Sequence, residues 1–427
     1  MKKLQHLIVL IASILFTLSC KETSTHMSSQ QPIHYVTAQD ILGNPEYLAI
    51  SYGGYRKTSR DIQPTIAELK EDLRLLHAMD IRILRTYNVQ LAQASNLLKA
   101  ISELKNEDKT FEMYVMLGAW IDCHNAWTGN EPDHNRESDQ NKEEIARAVS
   151  IAKQYPDIVK VIAVGNEAMV KWAAAYYVQP NVILKWVNHL QGLKKTGELN
   201  PDVWITSSDN FASWGGGEDQ YHVPALNELI KAVDYLSVHT YPMHDTHYNP
   251  AFWGVFGQEN DQTKLQQIEV AMERASQYAQ RQTDSVRSYM KRQGVNKPIH
   301  IGETGWASAS NGLYGANGSN ATDEYKEALY YNHMREWTKE KGIACFYFEA
   351  FDEPWKDAAN QGGSENHFGL FTVHGKAKYA LWDLVDKEIF KGLSRGGNPI
   401  TKTYNGNKEA LLQEVRLPPS KGRVPVN

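Results

Sequence analysis

The feature that most constrains this chain is a repeat of short apolar runs. Eight of them, YLAIS (47–51), IRILRTY (81–87), EMYVMLG (112–118), VIAVGNE (161–167), VWITSS (203–208), VDYLSVHTY (233–241), PIHIGE (298–303) and IACFYFEAF (343–351), recur about every 42 residues. Most are near-continuously apolar, the pattern of strands covered on both faces in a parallel sheet. Amphipathic stretches lie between them. TIAELKEDLRLLHAMD (65–80) places Ile66, Leu69, Leu73, Leu76 and Met79 on one helix face and begins with Thr65 and Glu68 at capping-box spacing. Similar stretches begin at Asn181 and Thr322. Eight strands alternating with helices predict an α/β chain folded as a single-domain (β/α)8 TIM barrel over residues 44–392. A doubly wound open sheet is the competing architecture. It would call for a glycine-rich phosphate loop after the first strand, and SYGGYRKTSR lacks that spacing.

The N-terminus reads as a targeting segment. Lys2 and Lys3 precede an apolar run from Leu7 to Leu18 that is too short to span a bilayer, so residues 1–19 are expected to be a signal peptide. The run ends in TLSC. A Cys in this place resembles the lipidated first residue of a bacterial lipoprotein, although Thr17 stands where a large aliphatic residue is usual. Cys20 is therefore the expected lipidation site, residues 20–43 a tether and residues 393–427 a C-terminal extension. This predicts a lipid-anchored monomer of the bacterial cell envelope, on the outer membrane, periplasmic or surface-facing, touching the membrane through its anchor only. With Cys20 acylated, only Cys123 and Cys345 remain, and core size must supply the stability.

In such a barrel, functional residues stand where strands end and loops begin. The predicted strand ends carry Arg85 and Tyr87, Trp120, Asn166 and Glu167, Asp209 and Asn210, His239 and Tyr241, Glu303 and Trp306, and finally Glu349, Asp352 and Glu353. This rim is dense in carboxylates, amides and aromatics. Glu167 ends VIAVGNE and Glu303 ends PIHIGE, on strands that lie across the barrel mouth from each other. A carboxylate pair over an aromatic-lined mouth suits cleavage of a glycosidic bond, since one acid can protonate the leaving oxygen while the other stabilises or attacks the anomeric carbon. A rim acid that caps a helix or pairs with an Arg is the plainer explanation for either residue alone.

VGNE, GETGW, FYFEAFDEPWK and ENHFGLF together resemble the signature segments of glycoside hydrolase family 17, in order and on the corresponding strands, from Tyr47 to about Leu384. The resemblance implies a retaining β-1,3-glucanase, endo-acting on laminarin-like chains, with Glu167 as acid/base and Glu303 as nucleophile. It also implies that Asn166 hydrogen-bonds the sugar beside the reacting carbon and that Tyr241 approaches the nucleophile. Glu353, Lys356 and Glu365 match supporting groups around the site, and Phe368 would line the cleft. Tyr87 and Trp306 join them as substrate-facing aromatics of the rim. A cation near Glu303 is expected to keep it ionised. Ala307 and the long loop between Lys356 and Glu365 depart from the family pattern. So does the aromatic loop after the sixth strand, whose Tyr248, Phe252, Trp253 and Phe256 either pack a small subdomain or stack on glucose rings. Transglycosylation by the same site, and glycan binding without catalysis, are the competing functions.

Other signals are weak. His239, His244 and His247 with Asp245 fit no tight ligand spacing, so neither metal nor cofactor is expected. A net charge of −5 gives no footprint for nucleic acid. The 11 Trp and 22 Tyr suit a large core and equally a surface that stacks flat ligand faces.

Overall fold

The computed structural model describes Val36–Lys421. Eight parallel strands close into a barrel: β1 (Leu48–Ser51), β2 (Ile81–Arg85), β3 (Tyr114–Ala119), β4 (Val159–Asn166), β5 (Trp204–Asn210), β6 (Leu236–His239), β7 (Ile299–Thr304) and β8 (Cys345–Tyr347). Each pairs with the next, and β8 closes on β1 through Ile50 and Tyr347. The (β/α)8 expectation holds. Closure leaves the barrel sheet without a free edge, and the apolar runs follow from burial on both faces.

The longer helices between the strands are α1 (Ile66–Ala78), α2 (Ala92–Glu107), α3 (Gln140–Gln154), α4 (Pro180–Thr196), α5 (Pro224–Ala232), α6 (Lys264–Arg292) and α7 (Glu324–Lys341), with a short one at Pro242–Tyr248. The capping box at the start of α1 forms as read, with the Thr65 hydroxyl accepting from the Glu68 amide and the Glu68 carboxylate accepting from the Thr65 amide. The 29-residue helix α6 is the longest of the described helices. Its buried face is built largely from Ala271, Ala275, Ala279, Ser276, Gln282 and Thr283, so the helix is amphipathic but few large apolar side chains announce it.

Inside the barrel, Ala49, Ile83, Tyr114, Met116, Val161, Ala163, Tyr235 and Phe346 form a separate apolar cluster. Ala38, Ile41 and Leu42 belong to it as well. They come from a short helix, Ala38–Ile41, capped by Thr37. The expected tether therefore ends earlier than residue 43: the stretch from Val36 packs against the barrel interior because it carries three apolar residues at helical spacing. Residues 1–35 and 422–427 lie outside the described residues, and with them the expected signal peptide and Cys20.

The described part of the expected C-terminal extension, residues 393–421, belongs to the same compact body. Arg395 is 1% exposed and pairs with Asp72 of α1 at 2.9 Å, its guanidinium lying 4.1 Å from the Phe351 ring centre. Asp72 also accepts from Arg56 at 2.9 Å and from the Tyr52 hydroxyl at 3.0 Å. An unpaired charge at such a depth would be costly, so each partner holds the others in place. The segment after the barrel is thereby fastened across α1 and β1.

Candidate active site

The strand ends deliver Arg85, Asn166, Glu167, Asp209, His239 and Glu303 to one side of the barrel. Glu303 comes from β7, immediately after Gly302. A side chain at position 302 would drive into the hydroxyls of Ser208 and Ser237, so glycine is required for β7 to approach β5 and β6 here. Glu167 follows β4 through a turn in which Gly165 has φ +81° and Glu167 itself φ +45°. A left-handed glutamate costs about 1–3 kcal/mol and persists only where its surroundings over-determine it. The Glu167 amide donates to the Ser208 carbonyl at 2.9 Å.

Glu303 is 6% exposed and fully bonded. Its Oε1 accepts from Arg85 Nη1 at 2.6 Å, and its Oε2 from the Tyr241 hydroxyl at 2.8 Å. Arg85, itself 1% exposed, also donates to the Gly302 carbonyl at 2.8 Å and to Asn166 Oδ1 at 2.5 Å. His239 Nδ1 lies 3.0 Å from Glu167 Oε1 and 3.6 Å from Glu303 Oε2. Its Nε2 lies 2.7 Å from the Ser208 hydroxyl. The single proton of a neutral His239 belongs on Nδ1, which faces acceptor oxygens, leaving Nε2 to accept from Ser208.

The two acids sit in opposed electrostatic surroundings. Burial pushes the Glu303 carboxyl up, but a protonated His239, the Arg85 guanidinium and the Tyr241 hydroxyl together bring it below the ordinary carboxylate value. Burial also drives His239 down to about 3, so it is uncharged near neutral pH and Arg85 is the cation that remains. Glu167 is raised well above the ordinary value, first by burial and then by the charges of Glu303 and Asp209. One acid is held as an anion and the other holds its proton. One oxygen or nitrogen atom from each of Glu167, His239 and Glu303 lies within 4.8 Å of the other two, a spacing a metal could bridge. A positive charge is already supplied there by Arg85.

A cleft of about 670 Å3 opens above Glu303. Of the sequence-predicted residues, Tyr87, Trp120, Asn166, Glu303, Glu353, Lys356 and Glu365 line it. Glu353 accepts from the Tyr55 amide at 3.0 Å and from Trp355 Nε1 at 2.9 Å, which fixes two cleft walls together. Lys356 is not the cation beside Glu303. It pairs with Glu349 at 2.8 Å and lies 3.7 Å from the Phe348 ring centre. Phe368 is 1% exposed and packs edge-on against Tyr241 at 6.1 Å, so it backs the site from below. Trp306 is a correction. It is fully buried, donates Nε1–H to the Ala321 carbonyl at 2.8 Å and packs against Trp253 and Tyr330. It cannot meet a sugar. In the loop after β6, Phe252, Trp253 and Phe256 are buried and serve packing, while Tyr248 is exposed.

The structure joins Trp120, read at the third strand end, to two aromatics that the strand ends alone did not reveal. A hairpin (Cys123–His124 with Asp133–Glu137) rises after β3 and carries Trp127, which is 62% exposed at φ +61°. Trp127 stacks on Tyr176 at 5.0 Å, and Trp120 lies 5.2 Å from Tyr176. All three line the cleft. Tyr55 and Trp355 line it from the β1 and β8 loops, with the Arg60 guanidinium 4.3 Å from the Trp355 ring centre.

The role given to Arg85 can be measured directly. In Arg85→Gln the Glu303 carboxyl loses its permanent cation, so its titration should move to higher pH, followed by NMR of carbon-labelled glutamate carboxyls. A Glu303 titration that stays where it was in the parent would show that the hydroxyl and imidazole partners suffice.

Comparison with known proteins places this geometry. Residues 49–369 match the model of the BtgE/BtgC glycoside hydrolase domain. The chain is 73% identical to an endo-laminarinase from Formosa Hel1_33_131, with a TM-score of 0.91 over 92% of this chain and 100% of that one. It is 24% identical to a glucan 1,3-beta-glucosidase of Arthroderma benhamiae over 75% of this chain and 86% of that protein. It is 23% identical to a probable glucan endo-1,3-beta-glucosidase btgC of Aspergillus flavus over 80% of this chain, and the match spans only 45% of that longer protein. The chain belongs to the BtgE/BtgC glycoside hydrolase domain family, in accord with its family 17 resemblance.

Proposed function

We propose that this chain is a retaining, endo-acting β-1,3-glucanase whose nucleophile is Glu303 and whose acid/base is Glu167. The observation that carries this reading is the separation and polarity of the pair. One carboxyl oxygen of each acid lies within 4.8 Å of one on the other, an approach that favours the roughly 5–5.5 Å carboxyl separation of retaining enzymes over the roughly 6.5–9.5 Å that leaves room for an attacking water. The 73% identity to an endo-laminarinase supports the substrate and the internal mode of attack.

The chemistry follows from the charges. Glu303, kept ionised by Arg85, attacks the anomeric carbon as Glu167 passes its proton to the departing glycosidic oxygen. The C–O bond to the leaving chain breaks as an ester to Glu303 forms. That ester no longer carries the charge that raised Glu167, so the Glu167 carboxylate is now stable and can take a proton from water. The water oxygen attacks the anomeric carbon, releases Glu303 and restores the original configuration. Asn166, held by Arg85, stands beside the reacting carbon, and Trp120, Trp127, Tyr176 and Trp355 offer flat faces for sugar rings.

Soluble laminarin followed over time tests this reading. Internal scission should give a spread of short laminari-oligosaccharides before glucose accumulates, while cellulose yields far fewer reducing ends. Glucose alone from the earliest times would contradict endo action. Products longer than the starting oligosaccharide would point to transfer, and equal cleavage of cellulose would contradict the linkage.

We further propose that the enzyme is held at the bacterial envelope by lipid on Cys20, after removal of residues 1–19. The support is the sequence pattern of charge, apolar run and Cys. Cys20→Ser should move glucanase activity from the membrane to the soluble fraction. Activity that stays wholly with the membrane would contradict the anchor.

A further inference from the structure

We infer that Asp209 is a positioning residue for Glu167, fixing the turn that presents the acid/base and setting a negative charge behind it; this rests on the retaining reading above. Asp209 ends β5 and is fully buried, yet it touches neither the cleft nor Glu303. Its Oδ2 accepts from the Met169 amide at 2.7 Å, two residues beyond Glu167. Its Oδ1 accepts from the Asn210 amide at 2.8 Å and from the Ser213 hydroxyl at 2.6 Å. The Ala168 carbonyl, next to Glu167, accepts from the Val178 amide at 2.7 Å, which closes the loop from its other side.

A glutamate at φ +45° returns to ordinary backbone unless something holds it. Gly165 before it and the Asp209 carboxylate after it are those restraints. A buried carboxylate with this many donors is a stiff anchor, because each donor left unpaired would carry its own desolvation penalty.

Charge reinforces the geometry. Burial raises the Asp209 carboxyl to about 6 against the pull of Ser213 and the Met169 amide, so above that pH an anion stands behind Glu167. The other groups acting on Glu167 are Glu303, Arg85, Glu365 and the neutral His239. Tyr176 and Tyr221 also feel Asp209, but burial raises both phenols and keeps them neutral. Asp209 therefore favours the protonated form of Glu167 needed for the first step.

Asp209→Asn, nearly the same in size, tests this against a purely structural role. The parent enzyme is assayed on laminarin first, and inactivity there would overturn the glucanase reading and this inference with it. If Asp209 positions Glu167, kcat on laminarin falls about 10²-fold while KM moves by about twofold or less. The burst of dinitrophenol from a dinitrophenyl laminarioside, whose leaving group needs no proton, stays within about tenfold of the parent. The alkaline limb of kcat/KM on laminarin moves to lower pH, since less negative charge holds the proton on Glu167. Equal losses on both substrates with an unmoved alkaline limb would overturn the inference, as would full activity. Ser213→Ala decides the matter if D209N does not fold. Loss of the Ser213 bond should lower kcat on laminarin more than the dinitrophenol burst, and an unchanged ratio would overturn the inference.

Discussion

The contact between Arg85 and Glu303 is the one on which the rest of the site depends. Both side chains are almost entirely out of water, and a carboxylate there would be neutral without a permanent cation at 2.6 Å. The guanidinium fork does more than balance charge. It bonds the Gly302 carbonyl and Asn166 as well as Glu303, so the ends of β2, β4 and β7 are tied through one planar group. A lysine could place a charge there but could not join three partners in one plane. The closed barrel makes this possible, because only strand ends fixed by sheet pairing on both sides hold such groups to a fraction of an ångström.

From that ion pair the division of labour between the acids follows. The charge fixed on Glu303 raises Glu167, and the charge of Asp209 adds to it. His239 sits within reach of both acids but is kept neutral by burial, so it orients without cancelling the asymmetry. The charge difference between the two carboxyls is thus built in before any substrate arrives. In the proposed mechanism it reverses once Glu303 is esterified, which would let the same Glu167 serve both halves of the reaction.

Much of this was legible in the sequence, for physical reasons. Parallel strands buried on both faces leave continuous apolar runs, so all eight strands could be located, and an acid ending such a run could be singled out twice. Arg85 carried the same kind of signal, a charge closing IRILR, but no local pattern says which of the rim cations lies against Glu303, and the family likeness of Lys356 marks only a supporting group. Trp306 was misread because the distance from a strand end does not say which way an indole points. Its place is settled by long-range contacts with Trp253 and Tyr330, which no local pattern encodes. The wall of Trp127 and Tyr176 joins two loops far apart in the chain, the Ala-rich face of α6 offers few large apolar residues to announce it, and the apolar plug before β1 is too short to stand out.

The central claim is that charge placement makes Glu303, and not Glu167, the group that bonds to sugar. A laminarioside bearing fluorine beside the anomeric carbon and a reactive leaving group should slow release of the intermediate enough to trap it. Mass spectrometry of peptides from the trapped enzyme is predicted to find one glycosyl ester, on the peptide carrying Glu303. An ester on Glu167, or cleavage by inversion with no adduct at all, would contradict the account.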